Sequence, residues 1–215
     1  MGEVELDIPG ERLWIRSDII CYGDEANNDL SQRIAREISG LWNAGKFSVR
    51  VGGISYLVQF EIQGFYRPGT GPDEIHGNLN PRLNFFRIEQ FVRGDISFVD
   101  ELGSNTGYFK LDNLQNGSGT AAHEYGHSLG LPHPGIMDYR GQGQPGIMHP
   151  RGTWVDPPFQ WDPSALPGQP GGTLNPAKRK VLQSDMDNLN LDKLEYSSEG
   201  KGVIGEFTNL FHDRQ

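Results

Sequence analysis

The stretch His123-Glu-Tyr-Gly-His127-Ser-Leu-Gly130-Leu-Pro-His133 constrains this chain more than any other part of it. On a helix, residues four apart share a face, so His123 and His127 can offer imidazole nitrogens to one ion. Gly130 falls where that helix must stop, because glycine readily enters the left-handed conformation that turns a chain back. The reversal brings His133 in from outside the helix, and Pro132 stiffens its approach. Three neutral imidazoles leave one position open, the coordination of a catalytic zinc rather than of a closed structural one. Glu124 adjoins the first ligand and is placed to reach a water at the open position without binding the ion itself. It is therefore the expected general base. The other histidines, His76, His149 and His212, stand in loop or tail context and are expected to face solvent.

The rest of the composition narrows the setting. A chain of 215 residues is long enough to bury a sizeable core, and its 29 glycines and 14 prolines point to a loop-rich globular fold. A net charge of −9 argues against a nucleic-acid partner or an anionic membrane surface, both of which need basic patches. The single cysteine, Cys21, cannot form an intrachain disulfide and reads as a buried thiol at the end of a strand. No apolar run approaches the ~18 residues of a membrane span. The amino-terminal residues carry no charged-then-apolar signal pattern.

Along the chain, residues 12–21 form a strand candidate. Leu30, Ile34, Ile38, Leu41 and Trp42 recur at helical spacing, with Asn27 or Asn28 as cap and Gly45 as stop. Residues 47–65 hold two strand-like runs broken at Gly52-Gly53, the mark of a hairpin. Residues 84–91, 95–99 and 108–111 are shorter strand candidates. The histidine-bearing helix begins near Ser118 or Thr120. Residues 134–174 lose periodicity among Gly, Pro, Gln and Asp. Asn175-Pro176, a cap followed by proline, then predicts a helix continuing through Val181, Leu182, Met186 and Leu189.

HEYGHSLGLPH resembles the extended zinc signature of the metzincin metallopeptidases. The resemblance covers most of residues 12–195, although about thirty residues carry specific motifs. It implies an α+β catalytic domain, with a twisted mixed β-sheet and two helices in an upper lobe over residues 1–133. An irregular lower lobe over 134–215 would carry a methionine-bearing turn and a C-terminal helix. His123, His127 and His133 would be the ligands of one catalytic Zn²⁺, with Glu124 as base. The family sets a methionine beneath the zinc, and this chain offers two, in Gly135-Ile-Met137-Asp-Tyr139 and Gly146-Ile-Met148-His-Pro150. Met137 stands only four residues past His133, too few to return under the ion, so Met148 is the expected turn residue. Its Pro150 resembles the matrixin form. Met137 with Tyr139 resembles the serralysin and astacin form, and Pro134 directly after the third histidine resembles the serralysin form.

Other features are mixed. Residues 94–101 resemble the matrixin strand before the active-site helix, but Ser97 stands where a histidine commonly binds a structural zinc. Asp100 and Glu101 are candidates for a Ca²⁺ site, with exposed loop acids the preferred reading. Trp154 is a candidate wall of the pocket just past the scissile bond. Cys21-Tyr-Gly-Asp24 does not match a latency segment, and only about a dozen residues precede the first strand candidate.

The function expected is that of a zinc-dependent endopeptidase acting on peptide or protein substrates, which add as a strand to an exposed sheet edge. The resemblance also implies a monomer in a secreted or extracellular setting. Two alternatives stand beside it: a zinc-binding module of the same fold without turnover, and a narrow-specificity toxin or effector peptidase.

Overall fold

The longest-reaching element is β2 (Arg12–Tyr22), whose alternating burial over residues 12–18 turns fully buried from Ile19. The computed structural model describes residues 1–115 and 117–214. Around β2 a mixed sheet is laid in the order β3-β4-β2-β5-β7-β6. β4 (Ile54–Tyr66) runs parallel to β2 along one side. The other side is shared between β1 (Gly2–Asp7), antiparallel at residues 12–16, and β5 (Leu83–Glu89), parallel at residues 18–22. β7 (Thr106–Lys110) continues the parallel series, and β6 (Phe98–Val99) turns back antiparallel to form the last edge. β3 (Ser48–Val51) closes the opposite edge as a hairpin with β4, and β8 (Lys201–Ile204) pairs with β1.

The helix α1 (Asn28–Trp42) is set by an apolar stripe of Leu30, Ile34, Ile38 and Trp42, all buried against the sheet. Asn27 caps it, its side chain accepting the Leu30 N–H at 2.9 Å. The helix ends at Trp42, before the expected Gly45. The Asn43 side-chain amide there donates to the Ser39 and Phe60 carbonyls, and its Oδ1 accepts the Phe60 N–H at 2.9 Å. A one-turn helix, α2 (Pro72–His76), precedes β5.

Across α1 lies α3 (Thr120–Ser128), of which every residue except His127 is buried. Two contacts fasten its first turn to α1. Trp42 Nε1 donates to the Ala122 carbonyl at 3.1 Å, and Glu37 accepts the Ala121 N–H, a helix-start donor with no partner in its own helix. Trp42, Phe60 and Tyr125 then pack ring to ring, with centroids 5.0 to 6.4 Å apart. The Tyr125 hydroxyl meets Ser17 of β2 at 2.9 Å. Helix and sheet are thus joined through a dry aromatic contact that ends in one satisfied polar pair.

The sheet, α1 and α3 follow the sequence expectation of a mixed α+β chain, and Cys21 is fully buried. Residues 134–174 are irregular as expected. Two strands fall where the sequence offered no candidate, at residues 2–7 and after Tyr196, and supply β1 and β8. Other expectations change. The predicted helix from Asn175 is only a single turn at Pro176–Lys178, and regular helix resumes as α4 (Gln183–Asn188). Between them Arg179 and Lys180 are extended, with Lys180 donating to the Pro145 carbonyl at 3.1 Å. His212 and Asp100 are not solvent-facing: they are paired at 2.8 Å, with the imidazole set edge-on to Phe98 and Tyr108.

Trp42→Ala should lower unfolding free energy by about 3–5 kcal/mol in urea titrations, because it leaves a cavity between the two helices. Leu79→Ala, at an 86% exposed position, should change it by no more than about 0.5 kcal/mol.

Candidate metal centre

The end of α3 builds the site. Gly130 has φ +95°, and the chain reverses there with the Leu131 N–H on the Gly126 carbonyl at 3.0 Å and the Gly130 N–H on the His127 carbonyl at 2.9 Å. This pair of bonds is the Schellman arrangement, which satisfies the last helical carbonyls while turning the chain back. It sets the Leu131 carbonyl 2.7 Å from His127 Nδ1 and delivers His133 to the open side of the helix.

The three rings converge. His133 Nε2 lies 3.0 Å from His123 Nε2 and 3.1 Å from His127 Nε2. A tetrahedral ion with bonds of about 2.0–2.1 Å needs nitrogens about 3.3 Å apart, so a small relaxation admits one. Among the described residues, this trio is the one group of three or more His, Cys, Asp or Glu side chains arranged to share an ion. Asp100 and Glu101 join no such group; Asp100 is committed to His212 and to the Thr106 hydroxyl.

The Nδ1 atoms decide what Nε2 can do. His123 Nδ1 is 2.8 Å from the Ile147 carbonyl, and His127 Nδ1 is 2.7 Å from that of Leu131. A carbonyl only accepts, so each Nδ1 carries the proton and each Nε2 keeps a lone pair for a metal. Ile147 is itself backed by α4, whose buried Asp185 carboxylate accepts the Leu182 N–H at 2.7 Å and stands by the Ile147 N–H. Burial lowers all three imidazoles below the usual histidine range, helped next by the Arg179 charge at His123 and His133 and by the His133 neighbour at His127, which falls to about 4. A neutral ring is the form a metal takes.

Met148 lies beneath this helix. It is buried, and a Cβ added at Gly126 would stand 2.3 Å from its sulfur, so only glycine lets the turn approach there. Met137 is 53% exposed, and its carbonyl accepts the Trp154 N–H at 2.8 Å beside the Asp138–Trp154 bridge. His149, expected in solvent, is instead buried with its ring against Tyr139. Ser97 accepts the Lys110 N–H and holds Asn113.

A cleft of about 230 Å³ opens beside the trio, lined by His123, Glu124, His133, Arg151 and Arg179 among others. A second hollow on the same face runs along residues 96–102 of the β6 edge, past His127. Trp154 lines neither; Pro150 and Arg151 form that wall, while Trp154 packs on Arg140 and Gly168.

Burial pushes the Glu124 carboxyl up to about 8, against the pull of Arg179 and Arg151. Sequence reasoning missed Arg179 and Asp185. Arg179 sits in a Lys-Arg-Lys run that reads as surface, and Asp185 reads as an ordinary first-turn acid. Arg179 is buried; it donates to the Pro176, His149 and Ser118 carbonyls and stands 2.9 Å from His123 Nδ1. A guanidinium only donates, so Arg179 competes with the Ile147 carbonyl for this nitrogen, and the shorter carbonyl contact favours Nδ1–H. Burial lowers the Arg179 guanidinium to about 10, which leaves it cationic at neutral pH.

No protein-family model matches the chain, and no curated protein matches it.

The raised Glu124 predicts a pH effect on the metal-free chain. Its folded value of about 8 exceeds the ordinary 4.5, so the fold holds more protons than the unfolded chain between those limits. Stability from this group is full below pH 4.5 and is lost as pH rises through 8. In chelator, Glu124→Gln should therefore gain on the wild type from pH 5 to pH 8 in urea titrations. An advantage that stays flat or shrinks over that range counts against the buried carboxyl. The histidines, shifted the opposite way, cancel because both proteins carry them.

Proposed function

We propose that the chain is a zinc-dependent endopeptidase of the metzincin kind. One observation carries the reading: three histidine Nε2 atoms converge where a buried carboxyl group, that of Glu124, lines the same cleft. His123, His127 and His133 would hold the ion. When bound, zinc supplies a Lewis acid for the scissile carbonyl and lowers the pKa of water from about 15.7 to about 7.

The chain's own residues do the rest. Glu124 takes the proton from the attacking water and passes it to the departing amine, so the nucleophile's proton ends on the leaving group. The carbonyls of Ile147 and Leu131 hold two imidazoles in a single tautomer throughout. The free edge of β6 offers main-chain groups to an extended substrate, whose side chains alternate toward and away from the cleft. Met148 supplies an apolar floor that fits only against Gly126. A zinc module without turnover gives no reason for a carboxylate to be buried at the ion's open side, so the catalytic reading is preferred.

The purified chain should carry close to one zinc and cleave casein or a generic peptide, with cleavage abolished by chelator. Glu124→Gln should keep the zinc and lose about 10²–10⁴-fold in kcat. Undiminished cleavage by that variant would rule Glu124 out as the base. Met148→Ala should cost about 2–5 kcal/mol in urea unfolding. Met137→Ala should stay within about 0.5 kcal/mol, and the reverse order would give the floor to Met137.

A further inference from the structure

The cleft beside the histidines carries a charge the rest of the chain does not. The protein is acidic overall, at −9, yet two guanidinium groups line this cleft and Glu124 is the one acid that lines it with them. Neither arginine has a carboxylate within ion-pair distance among the described residues. Arg179 commits three of its five N–H groups to carbonyls. Arg151 is exposed at the wall and reaches only neutral oxygens, Thr120 Oγ1 at 3.3 Å and Asn113 Oδ1 at 3.5 Å.

Asn113, Thr120 and Ser97 complete a polar rim, with Ile96 and Pro150 as the apolar part. A hydrophobic side chain entering here would strip water from two cations and give nothing back. A carboxylate would meet charge-assisted donors instead, and the planar fork of an arginine suits it. The overall negative charge does not forbid this, since exposed charges beyond about 8–10 Å are screened at ordinary salt while groups inside the cleft are not.

We infer that this cleft selects an acidic side chain, aspartate or glutamate, next to the scissile bond, with Arg151 and Arg179 as the specificity-determining residues. The inference rests on the peptidase reading for its setting, and it adds the substrate class: acidic peptide segments rather than apolar ones.

The test uses paired peptides that differ only by Glu against Gln, or Asp against Asn, at each position flanking the cleaved bond. For the zinc-loaded wild type, kcat/KM should favour the acid by about tenfold, the worth of one charge-assisted hydrogen bond. The preference should weaken as salt is raised. Arg151→Gln should reduce the ratio, and Arg151→Glu should turn it toward a Lys-bearing peptide. Arg151 is exposed, so these variants should melt with the wild type; Arg179→Lys provides a second, buried probe.

A binding arm separates the two readings. Fluorescence polarisation of the same peptides on Glu124→Gln should show the acid binding about tenfold tighter. If no peptide is cleaved but this difference persists and falls with Arg151→Gln, the cleft assignment is supported and the peptidase reading fails. Equal cleavage and equal binding of acid and amide peptides overturn the inference while leaving the peptidase intact. A preference that neither arginine variant moves overturns it as well.

Discussion

The hydrogen bond from His123 Nδ1 to the Ile147 carbonyl is the contact on which the metal centre depends. Without it the imidazole is free to turn, and either nitrogen can carry the proton. With it, Nε2 faces the other two rings bearing a lone pair. The contact is backed by α4, whose Asp185 carboxylate stands by the N–H of the same residue, Ile147. A residue near the end of the chain therefore orients a ligand in its middle. The Leu131 carbonyl does for His127 what Ile147 does for His123, but it comes from the helix's own C-terminal reversal. One ligand is fixed locally and the other by tertiary closure.

The scaffold serves this arrangement by making α3 immovable. Its first turn is satisfied by Glu37 and Trp42 of α1, its middle by the Tyr125–Ser17 pair with β2, and its end by the glycine-led reversal. The parallel strands and α1 are a platform for that helix, and the short β6 edge overhangs it. Burial gives the site its chemistry as well. The same desolvation that keeps the histidines neutral raises the Glu124 carboxyl, so the imidazoles and the neighbouring acid acquire their states from one cause.

Much of this was legible in the sequence because local physics governed it. His123 and His127 at helical spacing, Gly130 as the stop and His133 beyond it follow from periodicity and backbone freedom. The α1 stripe and the Gly52-Gly53 hairpin were readable for the same reason. Met148 was favoured over Met137 by a simple argument of chain length, and their burial differs in that sense. What escaped was non-local. Arg179 follows a proline and an asparagine that signal a helix, yet the chain stays extended there because its guanidinium is drawn in toward three carbonyls. His149 and His212 looked like surface residues because nothing beside them in the sequence announces Tyr139 or Asp100. Trp154, a candidate pocket wall in the sequence, lies outside both hollows, since strand-like pairing with 137–139 turns it aside.

The reach of the Ile147 contact, spanning 24 residues, also orders events during folding. Helix α3 and its reversal can form early, from neighbours in sequence, whereas ring orientation at His123 waits until the irregular loops and α4 have closed over them. A chain caught halfway would own two histidines on a helix and no agreed direction for either, hence little grip on a metal. Competence would arrive with the last stitch of the fold, so that a nascent or locally melted molecule stays inert.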